Sequence, residues 1–172
     1  MKKELTNLTI LIVIVSIVLV SFIAYNQWPI LTGKRIVLDT RPVDPFDPFR
    51  GQFITIAYEI SLINNTKSFE TGDSIYISLN EDEKGIWRLK DASRSKPEIG
   101  DFIKGRVTYS SENRVSVEYG IEQYFFERNA DLPRSNLTVE VAVSNSGRAK
   151  MIRLLHNGQP FEIDYKEFDI RD

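Results

Sequence analysis

The chain of 172 residues contains no cysteine and a single histidine, His156. The lack of cysteine excludes disulfides, thiolate metal sites and cysteine nucleophiles. A serine hydrolase would have to use His156, which precedes Asn157 and Gly158 in a turn-forming sequence. No second histidine is present to complete a familiar zinc site. The sequence therefore predicts neither a catalytic histidine nor a bound metal.

Several other functional patterns are missing as well. There is no glycine-rich phosphate loop and no dinucleotide-binding fingerprint. The 22 basic and 24 acidic residues give a formal net charge of −2, without a block of one sign, which argues against nucleic acid as a partner. Residues 93–96 fit the Ser-x-x-Lys pattern of penicillin-interacting enzymes, but they lie in a charged loop and the partner motifs are absent. We expect no cofactor and no catalytic residue.

One long apolar run stands near the N-terminus, over residues 8–25, and it holds no charged residue. A helix rises about 1.5 Å per residue, so this run covers roughly 27 Å, close to the hydrocarbon thickness of a bilayer. A cleavable signal peptide is the alternative, because Lys2 and Lys3 precede the run. A cut after Ala24 would need a small residue where Phe22 stands, however. We expect an uncleaved transmembrane anchor.

The basic residues that flank the run predict its orientation. Lys2 and Lys3 lie before it, and the next basic residues after it are Lys34 and Arg35, so the N-terminus is expected in the cytoplasm. The predicted organisation is a cytoplasmic N-terminus, a transmembrane anchor, a juxtamembrane linker and an extracytoplasmic domain, at residues 1–7, 8–25, 26–34 and 35–172. We expect a single-pass protein of the plasma membrane.

Beyond residue 30 large apolar residues alternate with polar ones, which is typical of half-buried strands. The candidate strands cover residues 35–40, 52–62, 74–79, 85–90, 102–109, 114–119, 136–143, 148–155 and 161–165. Turn-forming residues separate them, and the clearest hairpin turn is at residues 145–147. The pattern predicts an all-β, mostly antiparallel domain, either a sandwich or a partly closed barrel, behind one N-terminal transmembrane helix.

Two stretches do not fit simple alternation. A loop with three prolines precedes the candidate strand 52–62 and holds two aspartates and an arginine, which makes it a plausible binding rim. Pairing of Arg50 with one of those aspartates is the structural alternative. Residues 120–129 are aromatic and acidic, and we expect a strand extension or one helical turn there. The candidate binding residues of both stretches are Asp44, Asp47, Arg50, Glu122 and Tyr124.

Residues 51–58, with the sequence Gly-Gln-Phe-Ile-Thr-Ile-Ala-Tyr, resemble the motif of the GDYXXLXY family of bacterial membrane-anchored proteins. Residues 41–45, 119–125 and 146–150 resemble the same family. Gly51 and Tyr58 match the motif literally, whereas Gln52 replaces an aspartate, so this position offers no carboxylate for acid–base chemistry. We assign the motif residues a structural role in a core strand; they are Gly51, Phe53, Ile56 and Tyr58.

The resemblance implies a membrane-anchored, β-rich domain that has no known catalytic activity and acts as an accessory to multi-span membrane proteins. Our first hypothesis is therefore a non-enzymatic protein that binds another membrane or envelope protein. The alternative is an extracytoplasmic hydrolase or sugar-binding enzyme that uses the carboxylates of Asp44, Asp47 and Glu122, with Arg50 and Tyr124 positioning the substrate. A third hypothesis is a ligand carrier with an apolar cavity inside the β domain.

Overall fold

The computed structural model describes residues 2–41, 53–64, 67–125, 133 and 136–161. They form one helix and a series of strands: α1 (Lys2–Thr32), β1 (Lys34–Asp39), β2 (Phe53–Thr55), β3 (Leu62–Asn64), β4 (Ser74–Glu81), β5 (Ile86–Ser93), β6 (Phe102–Ser110), β7 (Arg114–Glu118), β8 (Gln123–Phe125), β9 (Leu137–Val143), β10 (Ala149–His156) and β11 (Gln159–Pro160). A 3₁₀ turn over Glu59–Ser61 precedes β3.

The helix α1 is apolar and exposed along most of its length; near its end Pro29 is buried, and Asn26 and Ile30 are partly buried. From Glu4 to Thr32 it is long and apolar enough to cross a membrane, and its most apolar part is not buried against the β domain. Because exposed apolar side chains of this extent need an apolar surrounding, α1 is a membrane anchor or a signal sequence. The N–H of Gly33 donates to the carbonyl of Pro29 at 2.9 Å, and β1 begins at the next residue. The segment expected as a linker is thus helical up to Thr32.

Nine of the described strands form one open sheet in the order β11-β10-β9-β1-β5-β4-β6-β7-β3. The strands β1 and β5 run parallel, and the other neighbours in this sheet are antiparallel. Within the described residues β11 and β3 are the edges, so the sheet is not closed into a barrel. The strands β2 and β8 pair separately. The predicted all-β, mostly antiparallel fold behind one N-terminal helix is confirmed.

The core is a single cluster on the face of the sheet to which alternate residues point. In β4, for example, Ile75 and Ile77 are fully buried while Tyr76 between them is partly exposed. The same alternation in β1, β6, β7 and β9 adds mostly isoleucine and valine. These β-branched side chains suit a pleated strand, and each contributes about 1.5–3 kcal/mol when fully buried.

The prediction of one continuous strand over residues 52–62 is wrong. The strand β2 ends at Thr55, and the 3₁₀ turn over Glu59–Ser61 separates it from β3. The predicted alternation of burial nevertheless holds up to the turn, since Ile56, Tyr58 and Ile60 are buried and the residues between them are exposed. The apolar pattern therefore identified the buried side chains but not the backbone conformation.

The 3₁₀ turn also changes which residues are buried after it. A 3₁₀ turn has three residues per turn instead of the two-residue repeat of a strand, so the residues that follow it face differently. Ile63 is buried, and Leu62, which the alternation predicts as buried, is only partly so. As a result β3 presents Ile63 to the core where it pairs with Val115 of β7.

The hairpin of β9 and β10 forms as predicted. The N–H of Ser144 donates to the carbonyl of Arg148 at 2.9 Å, and the N–H of Gly147 donates to the carbonyl of Ser144 at 2.8 Å. Gly147 has a φ of +82°, which glycine adopts without steric cost. The predicted strand 161–165 lies outside the described residues except for Phe161, which follows β11 without belonging to a strand.

Candidate functional site

The motif segment and the second irregular segment of the sequence lie side by side. The strand β2 pairs antiparallel with β8, and Ile54 lies opposite Tyr124 and Thr55 opposite Gln123. Next to this pair, the N–H of Ile56 donates to the carbonyl of Glu122 at 2.6 Å. Of the two structures expected for residues 120–129, a strand extension is therefore the one observed at residues 123–125.

Two buried tyrosines connect these segments. The hydroxyl of Tyr58 donates to the carbonyl of Ile121 at 2.6 Å, and the hydroxyl of Tyr119 donates to the carbonyl of Ile60 at 2.6 Å. Their rings are 6.5 Å apart between centroids, in an edge-to-face arrangement, which is a favourable geometry for aromatic pairs. Each tyrosine thus reaches from its own segment to the backbone of the other.

The environment of both phenols keeps them protonated. Burial raises the pKa of Tyr58 and of Tyr119 well above the ordinary value, and the nearby Glu122 carboxylate raises both further. A protonated phenol is a hydrogen-bond donor, as the two carbonyl contacts require. These tyrosines therefore act as structural donors at neutral pH and are not available as bases.

Glu122 shapes the turn between β7 and β8. One carboxylate oxygen accepts the N–H of Tyr119 at 2.5 Å, and the other accepts the N–H of Ile121 at 2.9 Å. Gly120, between these residues, has a φ of +78°, a conformation that few other residues adopt. The carboxylate of Glu122 therefore satisfies backbone donors of a tight turn, which limits its freedom to act on a substrate.

Arg88 of β5 holds the 3₁₀ turn of the motif segment against the centre of the sheet. Its guanidinium lies 2.9 Å from the carboxylate of Asp39 and 3.1 Å from that of Asp82, and it also forms an ion pair with Glu59. These side chains are partly exposed, so solvent weakens each pair. Their effect is positional, because one guanidinium joins β1, the turn and the β4–β5 connection.

A surface cleft opens where the motif segment passes the end of β7. It has a volume of about 260 Å³, and an adjoining hollow of about 420 Å³ shares three of its lining residues, Thr55, Glu118 and Glu122. We call the two together the motif cleft. Arg41 lies at one side of the cleft and Gln123 at the other. The lining combines apolar side chains with carboxylates, hydroxyls and a guanidinium, so the cleft offers both apolar contact and hydrogen-bonding groups.

The motif cleft contains two polar groups that are not among the predicted binding residues, the carboxylate of Glu118 and the hydroxyl of Ser61. Glu118 is exposed at the end of β7, and among the described residues its carboxylate has no hydrogen bond or ion pair. The hydroxyl of Ser61 is buried and has no hydrogen-bond partner in the described part of the chain. Sequence reasoning missed Glu118 because an exposed glutamate in an alternating strand looks like any surface residue.

The predicted binding residues divide into two groups. Glu122 lines the motif cleft and Tyr124 lies beside it in β8, where it packs partly buried against the core. The others, Asp44, Asp47 and Arg50, lie outside the described residues, as does Gly51 of the motif. Arg41 is the last described residue before that loop, and it lines the cleft. The binding role of all five predicted residues remains a prediction.

The motif residues that are described fit a structural environment. Ile56 and Tyr58 are buried, at 1% and 0% exposure, and Phe53 begins β2. Among the described residues no group of three or more histidine, cysteine, aspartate or glutamate side chains could hold a metal ion. His156 lies at the end of β10 beside Asn157, on a different strand from those that line the cleft.

The sequence model of the GDYXXLXY protein family matches residues 15–154, which include the second half of α1 and the strands from β1 through most of β10. The chain belongs to the GDYXXLXY family. No curated protein and no solved structure gives a significant match to the chain. The GDYXXLXY motif thus marks the segment from β2 to Tyr58, where a buried tyrosine joins two irregular segments.

Proposed function

We propose that the chain is a single-pass membrane protein that acts as a non-enzymatic accessory module. Its N-terminus lies in the cytoplasm, and its β domain lies outside the plasma membrane, where it binds another membrane or envelope protein. Membership of the GDYXXLXY family and the apolar helix α1 support an anchored protein. Lys2 and Lys3 ahead of the apolar run support this orientation.

The motif cleft is the proposed binding surface. One observation carries this assignment: the motif segment leaves the strand conformation at residue 56 and forms, with residues 118–123, a cleft that combines apolar side chains with carboxylates and hydroxyls. Loops held on a rigid scaffold are common binding sites. The two tyrosine hydrogen bonds and the Arg88 network supply that scaffold here.

The chemistry of the cleft indicates what a partner must offer. Glu118 presents a carboxylate and Thr55 an exposed hydroxyl, and both lie in the shared part of the cleft. A carboxylate accepts hydrogen bonds most strongly from cationic donors. The partner segment is therefore expected to bring a lysine or arginine, or a backbone edge rich in N–H donors, into the cleft.

The enzymatic alternative is less well supported by the same geometry. A glycosidase-type mechanism needs two carboxylates that are free to exchange protons or attack a substrate. Glu122 is engaged by two backbone N–H groups, so its use in catalysis would open the turn at Gly120. Among the described residues that line the cleft, Glu118 then supplies one carboxylate, whereas that mechanism needs two.

Site-specific photo-crosslinking tests the proposal in native membranes. A photoreactive amino acid is placed at Thr55 or Gln123 in the cleft, and in a third version at Glu112 in the β6–β7 turn as the matched exposed control. We expect both cleft positions to give the same discrete adduct with one protein, and the control position to give none. Glu118→Lys in the chain labelled at Thr55 should strongly reduce that adduct, whereas Glu112→Lys should leave it unchanged.

Two results would count against the proposal. Adducts of equal yield at all three positions would indicate random collision, and no adduct at either cleft position in cells that retain the chain in the membrane would remove the cleft as a binding surface.

A further inference from the structure

The end of the β domain next to α1 carries basic residues and one fully exposed isoleucine. The chain passes from the helix into β1 through Gly33 alone, and Lys34 of β1 pairs with Val143 of β9. A side chain on Gly33 would collide with the carbonyl of Pro29 and lie 3.0 Å from the backbone of Val143. Because Gly33 has no side chain, the end of β9 and the turn that follows it can lie close to the end of the helix.

Two basic side chains of β10 and its turn contact the helix directly. The guanidinium of Arg148 lies 4.1 Å from the ring centroid of Tyr25, and the ammonium of Lys150 donates to the carbonyl of Asn26 at 3.3 Å. The domain therefore meets α1 at residues 25–26, a full turn or more before the helix ends.

The length of α1 places these contacts in the headgroup layer of a membrane. The candidate span from Glu4 to Thr32 has 29 residues, which corresponds to about 43 Å of helix, whereas the hydrocarbon core is about 30 Å thick. The remaining length lies among the headgroups. Tyr25 and Trp28 are aromatic residues of the kind enriched at this interface, so Arg148 and Lys150 lie at the depth of the lipid phosphates.

A second loop reaches the same end of the domain. Asp101 forms an ion pair with Lys34 at 2.8 Å, and the N–H of Lys104 donates to the carbonyl of Gly147 at 2.8 Å. These bonds join the loop before β6 to the start of β1, and the first part of β6 to the β9–β10 turn. Ile99, two residues before Asp101, is 92% exposed. An isoleucine so exposed at a membrane-facing end is suited to insertion between lipids.

We propose that this end of the domain is a lipid-binding surface, in which Arg148 and Lys150 contact phosphates of anionic headgroups and Ile99 enters the interfacial layer. The surface holds the β domain against the bilayer in one orientation, so that the motif cleft faces a fixed direction relative to the membrane. This inference rests on the anchoring part of the proposed function, and it does not depend on a protein partner.

Fluorescence depth measurements on the full chain test the lipid surface. Because the chain has no cysteine, Ile99→Cys provides a unique position for an environment-sensitive dye. The matched control is Tyr109→Cys, which is also exposed. It lies ten residues after Ile99 and seven residues after Phe102, the first residue of β6, or about 20 Å along the strand. Both chains are reconstituted in nanodiscs of phosphatidylcholine alone, or of phosphatidylcholine and phosphatidylglycerol in equal parts.

We expect the dye at position 99 to emit at shorter wavelength and a lipid-tethered quencher to reduce its emission at least about twofold more than at position 109. Quenching at position 99 should increase with phosphatidylglycerol, and Arg148→Gln with Lys150→Gln should remove that increase.

Equal, water-like emission at both positions in correctly inserted chains would overturn the lipid surface while leaving the anchor intact. Failure of the chain to insert at all, judged by its extraction from liposomes with alkaline buffer, would overturn the anchor and the lipid surface together. Strong quenching at position 99 that is independent of phosphatidylglycerol would refute the role of the two basic residues.

Discussion

Two tyrosine hydroxyls hold the motif segment in place through reciprocal hydrogen bonds. Tyr58 and Tyr119 each donate to a carbonyl of the opposite segment, and both side chains are buried. A buried donor lost from such a pair leaves its carbonyl acceptor without that bond, and this costs more than an exposed hydrogen bond. Packing and hydrogen bonding therefore account for a tyrosine at the end of the motif segment.

Replacing either tyrosine with phenylalanine should test this role. We expect Tyr58→Phe and Tyr119→Phe each to lower the free energy of unfolding by about 1–3 kcal/mol, because the ring still fills its site while the buried carbonyl loses its donor. Tyr109→Phe is the matched control; its ring is 61% exposed, and its effect should stay within about 0.5 kcal/mol. Urea denaturation in mild detergent, followed by tryptophan fluorescence, measures all three. Equal effects of the three substitutions would contradict a special role for the buried pair.

The pairing of β6 with β7 depends on a close approach at one glycine. A Cβ on Gly105 would collide with a methyl group of Val117, lie 2.9 Å from the ring of Tyr119 and lie 3.0 Å from the carbonyl of Glu118. Tyr119 cannot move without breaking its hydrogen bond to Ile60. Because Gly105 has no side chain, the Tyr119 ring has room to pack in the core beside β6. The glycine thus links a strand pair to the geometry of the motif segment.

Substitution of this glycine should affect both the strand pair and the motif segment. We expect Gly105→Ala to destabilise the domain by about 1–3 kcal/mol, as overpacking of a close contact does, and to raise hydrogen exchange at the amides of residues 56–61. Lys104→Ala, at the exposed neighbouring position of the same strand, is the control and should change neither quantity appreciably. A Gly105→Ala domain with unchanged stability and unchanged exchange would show that β7 adjusts without disturbing the motif.

The strands and the 3₁₀ turn of the motif segment show why only part of this arrangement can be predicted from the sequence. Alternation identified Ile56, Tyr58 and Ile60 as buried, because a two-residue repeat reports the face that each side chain occupies. The 3₁₀ turn over Glu59–Ser61 contains neither glycine nor proline and is held by distant groups, the guanidinium of Arg88 and the hydroxyl of Tyr119. Such tertiary contacts leave no local signal. For the same reason the pairing of β2 with β8 could not be derived from either strand alone.

At the scale of the whole molecule, the helix lies outside the core of the β domain. The buried core cluster begins at Ile36 and contains no described residue of α1. The contacts of the helix with β9 and β10 lie at the surface, where Arg148 meets Tyr25 and Lys150 meets Asn26. The helix therefore determines where the domain is held, whereas the strands determine whether it folds.

A chain of residues 33–172 should therefore fold without α1. We expect it to be soluble and to unfold cooperatively, because it retains the whole described core and loses the exposed apolar side chains that would otherwise drive aggregation. Near-UV circular dichroism should match that of the full chain in detergent, and the two melting temperatures should agree within a few degrees. The full chain with Arg148→Gln serves as the control for the lost helix contact. Aggregation of the truncated chain, or loss of its near-UV signal while far-UV signal persists, would mean that α1 contributes to the fold itself.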